Sequence, residues 1–226
     1  MNQKSNTNIT LLIYGIAFTL IVLVALQPFT PASVLTGDPL IVAKGKFYYG
    51  AISSLGSIGW TATSTICLVT YFMLSDSRDK KTRSFFLFSG LFSVFLLVDD
   101  LFMLHDDFFP NYLGVSQSFI LALYPILSAF LLINYRGRIA GSSYTRLFIA
   151  LGFLALSVII DDFFPIVNRL DLAIEDGFKF LGIVGWAIYF FDTAFTVLNY
   201  EVKRPKNRIM PKVLKLDKLE PEFSNN

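Results

Sequence analysis

The stretch FFLFSGLFSVFLLVDDLFML, Phe85–Leu104, decides the fold class. Its only charges are Asp99 and Asp100, both near one end. A helix needs about 20 apolar residues to cross the hydrocarbon core of a bilayer, and this stretch is long enough. Five others read the same way, roughly Ile9–Gln27, Tyr48–Leu74, Ser116–Asn134, Leu147–Phe164 and Ala173–Tyr200. The 226-residue chain is 54% hydrophobic and 16% charged, with a mean hydropathy of +0.58. Soluble domains carry about 25% charged residues. The 24 Phe and 10 Tyr exceed what one compact core holds, so lipid is the natural solvent for this surface. The expected fold is an all-α integral membrane protein with six transmembrane helices.

Lys4 precedes the first apolar run, as in a secretory signal, but the run is too long for an h-region and Pro28 and Pro31 follow it. It is read as a retained first span. Lys and Arg then set the orientation. Lys4, the segments 75–84 and 135–146, and the region after Tyr200 hold 15 of the 19 basic residues. These segments alternate strictly with poorly basic ones that carry only Lys44, Lys46, Arg169 and Lys179. Both termini are therefore expected in the cytoplasm, in a plasma or inner membrane. Residues 1–200 form the six-span domain. Residues 201–226 form a polar, basic tail with Pro205, Pro211 and Pro221, expected to be disordered. Its partner beside a bilayer is anionic lipid rather than nucleic acid.

The acids gather on the opposite side. Asp106-Asp107-Phe108-Phe109-Pro110 recurs as Asp161-Asp162-Phe163-Phe164-Pro165, and Val98-Asp99-Asp100-Leu101-Phe102 aligns with Ile160-Asp161-Asp162-Phe163-Phe164. Spans 3–4 and 5–6 therefore read as two copies of one hairpin. Asp99 and Asp161 each lie 14 residues after the first residue of their span, about 21 Å along the helix axis. In a core about 30 Å thick, both acid pairs then sit at one level, below the outer surface. If the third helix continues through Asp107, Asp99 and Asp106 share one stripe, and Asp100 and Asp107 another.

Intramembrane carboxylates are expensive unless paired, hydrated, protonated or bound to a cation. His105, Arg169 and Lys179 are too few to neutralise them. The expected site is an outward-facing cavity lined by Asp99, Asp100, His105, Asp106, Asp107, Asp161, Asp162, Glu175 and Asp176, which binds or transports a divalent cation or protons. Lys179 and Asp192 are candidate relay residues. Hard oxygen donors suit Ca²⁺, Mg²⁺ or Mn²⁺, and Mn²⁺ accepts a single imidazole. One His and the single Cys67 do not make a structural zinc site. The bland alternative is shorter spans whose Asp pairs cap helix ends in water. Ser53, Ser54 and Ser57 face either the cavity or a packed neighbour, and Tyr124-Pro125 predicts a kink in the fourth span.

Two other functions stay open. One is a membrane-embedded, metal-dependent enzyme acting on a lipid-like substrate. The other is an assembly factor without catalysis. A Ser on an early span with Asp and His at an outer helix end resembles the intramembrane metal hydrolases that include alkaline ceramidases. That resemblance implies a zinc site with several His ligands, and a chain with one His departs from it, so it assigns no residue here. Phosphate-binding glycine loops, nucleophile elbows and HExxH motifs are absent from the sequence.

Overall fold

The computed structural model describes residues 3–75, 79–163 and 169–203, with side chains over 10–75, 79–161 and 173–203. Among the described residues there are helices and turns but no strand. The chain divides into two compact units, Met1–Ala51 and Ile52–Asn226.

In the first unit, α1 spans Gln3–Leu26, and its apolar part is Thr10–Leu26. The helix stops where Pro28 restricts the preceding residue. Gln27 then closes the turn, its Oε1 accepting from the backbone N–H groups of Phe29 at 2.8 Å and Thr30 at 2.9 Å. Asp38 caps the single helical turn Pro39–Val42, accepting from Leu40 N at 2.8 Å.

The second unit holds α2 (Ala51–Met73), α3 (Lys80–Phe102), α4 (Gln117–Leu121), α5 (Leu123–Asn134), α6 (Tyr144–Phe163) and α7 (Arg169–Lys203). Five stretches are long and apolar enough to cross a membrane: α2, α3, α4 with α5, Tyr144–Asp161 in α6, and Ala173–Lys203 in α7. They coincide with five of the six expected spans to within a few residues.

Helix α7 carries much of the core. Ile183, Trp186, Phe190 and Ala194 recur at three- and four-residue intervals on its buried face. Trp186 donates Nε1–H to Ser93 Oγ on α3 at 3.1 Å. Phe190 stacks on Phe85, with ring centroids 5.7 Å apart. Small residues let the helices close up. A Cβ on Gly59 would fall 2.6 Å from Ile183 Cγ2, and one on Gly182 would fall 2.6 Å from Leu154 Cγ. This is the packing mode of membrane helices, where apolar burial by itself gives no preference between lipid and protein. The outer faces are apolar too. Leu91, Phe119, Ile133, Phe148, Ile188 and Phe195 are all exposed. A soluble protein rarely shows apolar surface on this scale.

One expectation is corrected. Helix α3 does not continue through Asp107. It ends at Phe102, Met103 takes a left-handed conformation (φ 47°, ψ 48°), and Leu104–Phe108 forms one π-helical turn. A left-handed backbone costs a non-glycine residue about 1–2 kcal/mol. The Met103 N–H bonded to Asp99 O, and the His105 N–H bonded to Asp99 Oδ1 at 3.1 Å, offset that cost. The fourth span is interrupted close to Tyr124-Pro125, where a disruption is expected. It breaks at Ala122, between α4 and α5. Pro125 has no N–H for Leu121 O, and its ring crowds that carbonyl, so the regular helix stops one turn earlier.

Candidate functional site

The reversal after α3 brings His105 back over Asp99. Asp99 is only 4% exposed and makes three hydrogen bonds. Its Oδ1 accepts the His105 backbone N–H. Its Oδ2 takes the ring Nδ1–H of His105 at 2.7 Å and also the Tyr124 hydroxyl proton, in a short contact. The break at Ala122 sets both Tyr124 and Gln117 toward this site. Gln117 Nε2 donates to Asp161 Oδ2 at 2.9 Å and to Asp106 Oδ1 at 3.1 Å, which ties α6 to the turn after α3.

His105 is thus oriented from behind. With Nδ1–H given to Asp99, Nε2 is left facing Asp106 Oδ2 at 3.3 Å. Burial works against a charged imidazole, but the hydrogen bond and charge of Asp99, with the charge of Asp106, outweigh it and hold the His105 pKa above its ordinary value. One ligand atom each from His105, Asp106 and Asp161 lies within 4.8 Å of the others. A carboxylate behind a ligating histidine is the usual supporting arrangement at metal centres, because it fixes the tautomer and raises the ligand's basicity.

Asp100 faces a different partner. Its side chain is 6% exposed and its Oδ1 pairs with Lys179 Nζ in a short ion pair, while Oδ2 is buried without a hydrogen-bond donor among the described residues. Both acids of the pair therefore point inward. Asp99 is held by α5 and the turn, and Asp100 by α7.

A chamber of about 140 Å³ opens from this cluster into the bundle. Asp99, Asp100, His105, Asp161, Glu175 and Lys179 line its polar end. Trp60, Phe92, Leu96, Leu151, Leu154 and Trp186 are among the residues of its apolar part. The hydroxyl-bearing Ser128 and Ser157 also line it.

The remaining expected residues do not line the chamber. Asp107 accepts from Asn111 Nδ2 at 2.7 Å and stays outside the cluster. Asp176 is exposed and shares a small pocket with Ser53, Asp100 and Lys179. Ser54 and Ser57 do not reach the chamber, and Ser57 Oγ bonds back to Ser53 O at 3.2 Å. Asp192 pairs with Arg146 Nη1 at 2.8 Å and accepts from Ser143 Oγ at 3.1 Å, in a second cavity with Thr82 and Arg138. The buried Trp186, Tyr189 and Phe190 lie between Lys179 and Asp192 along α7. The side chains of Asp162, Arg169 and Asp171, and the tail beyond residue 203, lie outside the described residues.

Sequence reasoning missed Gln117 and took Tyr124 only as the neighbour of a proline. The available signal was a polar head in each of two apolar stretches, close to Pro125. Their role depends on the helix break, which sequence periodicity does not show.

Neither the curated proteins nor the solved structures contain a match to this chain. Residues 11–193 match the family described as "Domain of unknown function (DUF8692)", and the chain belongs to that family.

Proposed function

We propose that this protein is a six-span membrane protein that binds a divalent cation through His105 Nε2, Asp106 and Asp161. The observation that carries the reading is the approach of these three ligand atoms, with the histidine oriented by Asp99 and both carboxylates tied by Gln117. One imidazole and two carboxylates suit Mn²⁺ best among the hard divalent ions, with Ca²⁺ and Mg²⁺ behind it. Three protein ligands leave coordination positions open to water or to a ligand from the chamber. Binding is favoured over passage through the membrane, because the chamber and the cavity at Asp192 share no lining residue.

The sixth span in this reading is α1, whose apolar part Thr10–Leu26 continues into polar residues toward its N-terminus. The distribution of Lys and Arg supports both termini in the cytoplasm and the cluster facing outward. The two aspartate repeats support a duplicated hairpin, since Asp99 and Asp161 line one chamber.

Thermal melts of the full chain in lipid nanodiscs test the metal. A ligand that binds only the folded state stabilises it by about 2.7 kcal/mol at a hundredfold excess over Kd. Mn²⁺ should raise the wild-type Tm by several degrees. The Asp106→Asn/Asp161→Asn double variant should show no rise. Equal rises in the two proteins, or no rise in the wild type, would sink the proposal. A cluster that holds only protons predicts the second of these outcomes.

A further inference from the structure

The chamber behind the cluster is larger than a bare metal ion uses. Its volume, about 140 Å³, is close to that of an engineered apolar cavity of about 150 Å³ that holds benzene. Its apolar part has aromatic walls, Trp60, Phe92, Tyr124 and Trp186, with the two indoles 6.2 Å apart and edge to face. Its polar end has four carboxylates, Asp99, Asp100, Asp161 and Glu175, against two basic side chains, His105 and Lys179. A divalent cation at His105, Asp106 and Asp161 leaves Asp99, Asp100 and Glu175 against Lys179 among the described lining residues. Negative charge is in surplus either way, in a setting where unpaired charge is expensive. Asp100 Oδ2 is buried and has no donor among the described residues. Aromatic faces beside carboxylates attract a cation with an apolar body, through the ring quadrupoles as well as the charges.

We infer that the chamber binds a small organic cation, an ammonium carrying an apolar group about the size of a benzene ring. The ammonium lies at the Asp100 and Glu175 end and the apolar group lies in the part lined by Trp60, Phe92 and Trp186. This goes beyond the metal reading and does not depend on it.

The two chamber tryptophans are the only Trp residues in the chain, so tryptophan fluorescence, excited beyond the tyrosine absorption band, reports on this site alone. The experiment titrates the full chain in nanodiscs with benzylamine, benzyl alcohol and benzoate, in EDTA at about pH 8, where carboxylates are ionised and the amine is still largely ammonium. Benzylamine should change the fluorescence saturably. Benzyl alcohol should bind ~10-fold more weakly, the difference expected from one charge-assisted hydrogen bond of about 1.5 kcal/mol. Benzoate should not bind. Glu175→Gln should weaken benzylamine ~10-fold and leave benzyl alcohol unchanged, a split that a structural role for Glu175 does not produce. Ala155→Phe, which fills the chamber, should remove both responses. The inference is overturned by equal affinity for amine and alcohol, by undiminished amine binding in Ala155→Phe, or by no saturable response at all. Because the titration excludes free metal, saturable benzylamine binding without any Mn²⁺-induced Tm rise would sink the metal reading alone.

Discussion

Asp99 and Asp100 are adjacent in the chain and act through separate partners. Asp99 accepts from His105 twice and from Tyr124, whereas Asp100 holds Lys179. Removing one member of a buried ion pair leaves the other charge uncompensated and costs about 3–5 kcal/mol. The Lys179 side chain is 35% exposed, so water screens part of that cost here. Lys179→Met should lower the Tm, Asp100→Asn should lower it less, and Asp100→Asn/Lys179→Met should be more stable than Lys179→Met alone. A double variant that melts at the sum of the two single losses would contradict the pairing. Tyr124→Phe should destabilise by about 1–2 kcal/mol, because Asp99 stays buried with one donor fewer. A Tyr124→Phe melt identical to wild type would remove Tyr124 from the network. The sequence shows that these acids need partners, since intramembrane carboxylates always do. It does not show which residue serves which acid, because that depends on the left-handed Met103, and no local propensity favours a methionine there.

At the scale of elements, both ends of α3 are built by aspartates. Asp79 caps its start, accepting from Thr82 N at 3.1 Å and Thr82 Oγ1 at 2.8 Å, and pairs with Arg138 Nη1 at 2.8 Å. Partial burial opposes ionisation of Asp79, but the Thr82 hydrogen bonds and Arg138 outweigh it and lower its pKa. A carboxyl with a lowered folded-state pKa adds stability that is present above its unfolded value, about 3.9, and is lost as pH falls through the folded value. Asp79→Asn keeps a cap but cannot titrate. Its stability deficit relative to wild type should therefore be present at neutral pH and shrink below about pH 4. A deficit that does not change with pH would show that the Asp79 charge is not coupled to folding. The break between α4 and α5 is the second device. Pro125→Ala restores an N–H for Leu121 O, so the helix should run on and carry Gln117 away from Asp106 and Asp161. The Mn²⁺-induced Tm rise should then shrink, although helix propensity has improved by about 3 kcal/mol. An undiminished rise would show that the break does not position the site. Five helices were legible because long apolar runs fix element type, and the breaker role of Pro125 was legible in kind. The left-handed turn after Phe102 was not, because the hydrogen bonds of the Asp99 side chain decide it.

At the scale of the whole molecule, the helices of the second unit carry many exposed apolar side chains, among them Leu91, Ile133, Phe148 and Ile188. Topology is tested by labelling. Cys67 is the only cysteine and is buried, so a Cys67→Ser background allows single cysteines to be introduced. A cysteine at Lys80 should react only from the cytoplasmic side and one at Asn111 only from outside. Reaction of both from one side would reject the span count. The approach of Asp99 and Asp161 to one chamber was legible, because their matched positions along the two spans followed from rise per residue. The apolar part of the chamber was not, because Trp60, Phe92 and Trp186 are 126 residues apart at the extremes and read as ordinary apolar positions. The central claim is that His105 Nε2 is a metal ligand beside Asp106 and Asp161. Pulsed EPR of Mn²⁺ bound to the full chain in nanodiscs detects nitrogen directly bonded to the metal. The account predicts stoichiometric Mn²⁺ coupled to one imidazole nitrogen, with the coupling absent in His105→Ala. Bound Mn²⁺ with no nitrogen coupling, or a coupling that survives His105→Ala, would contradict it.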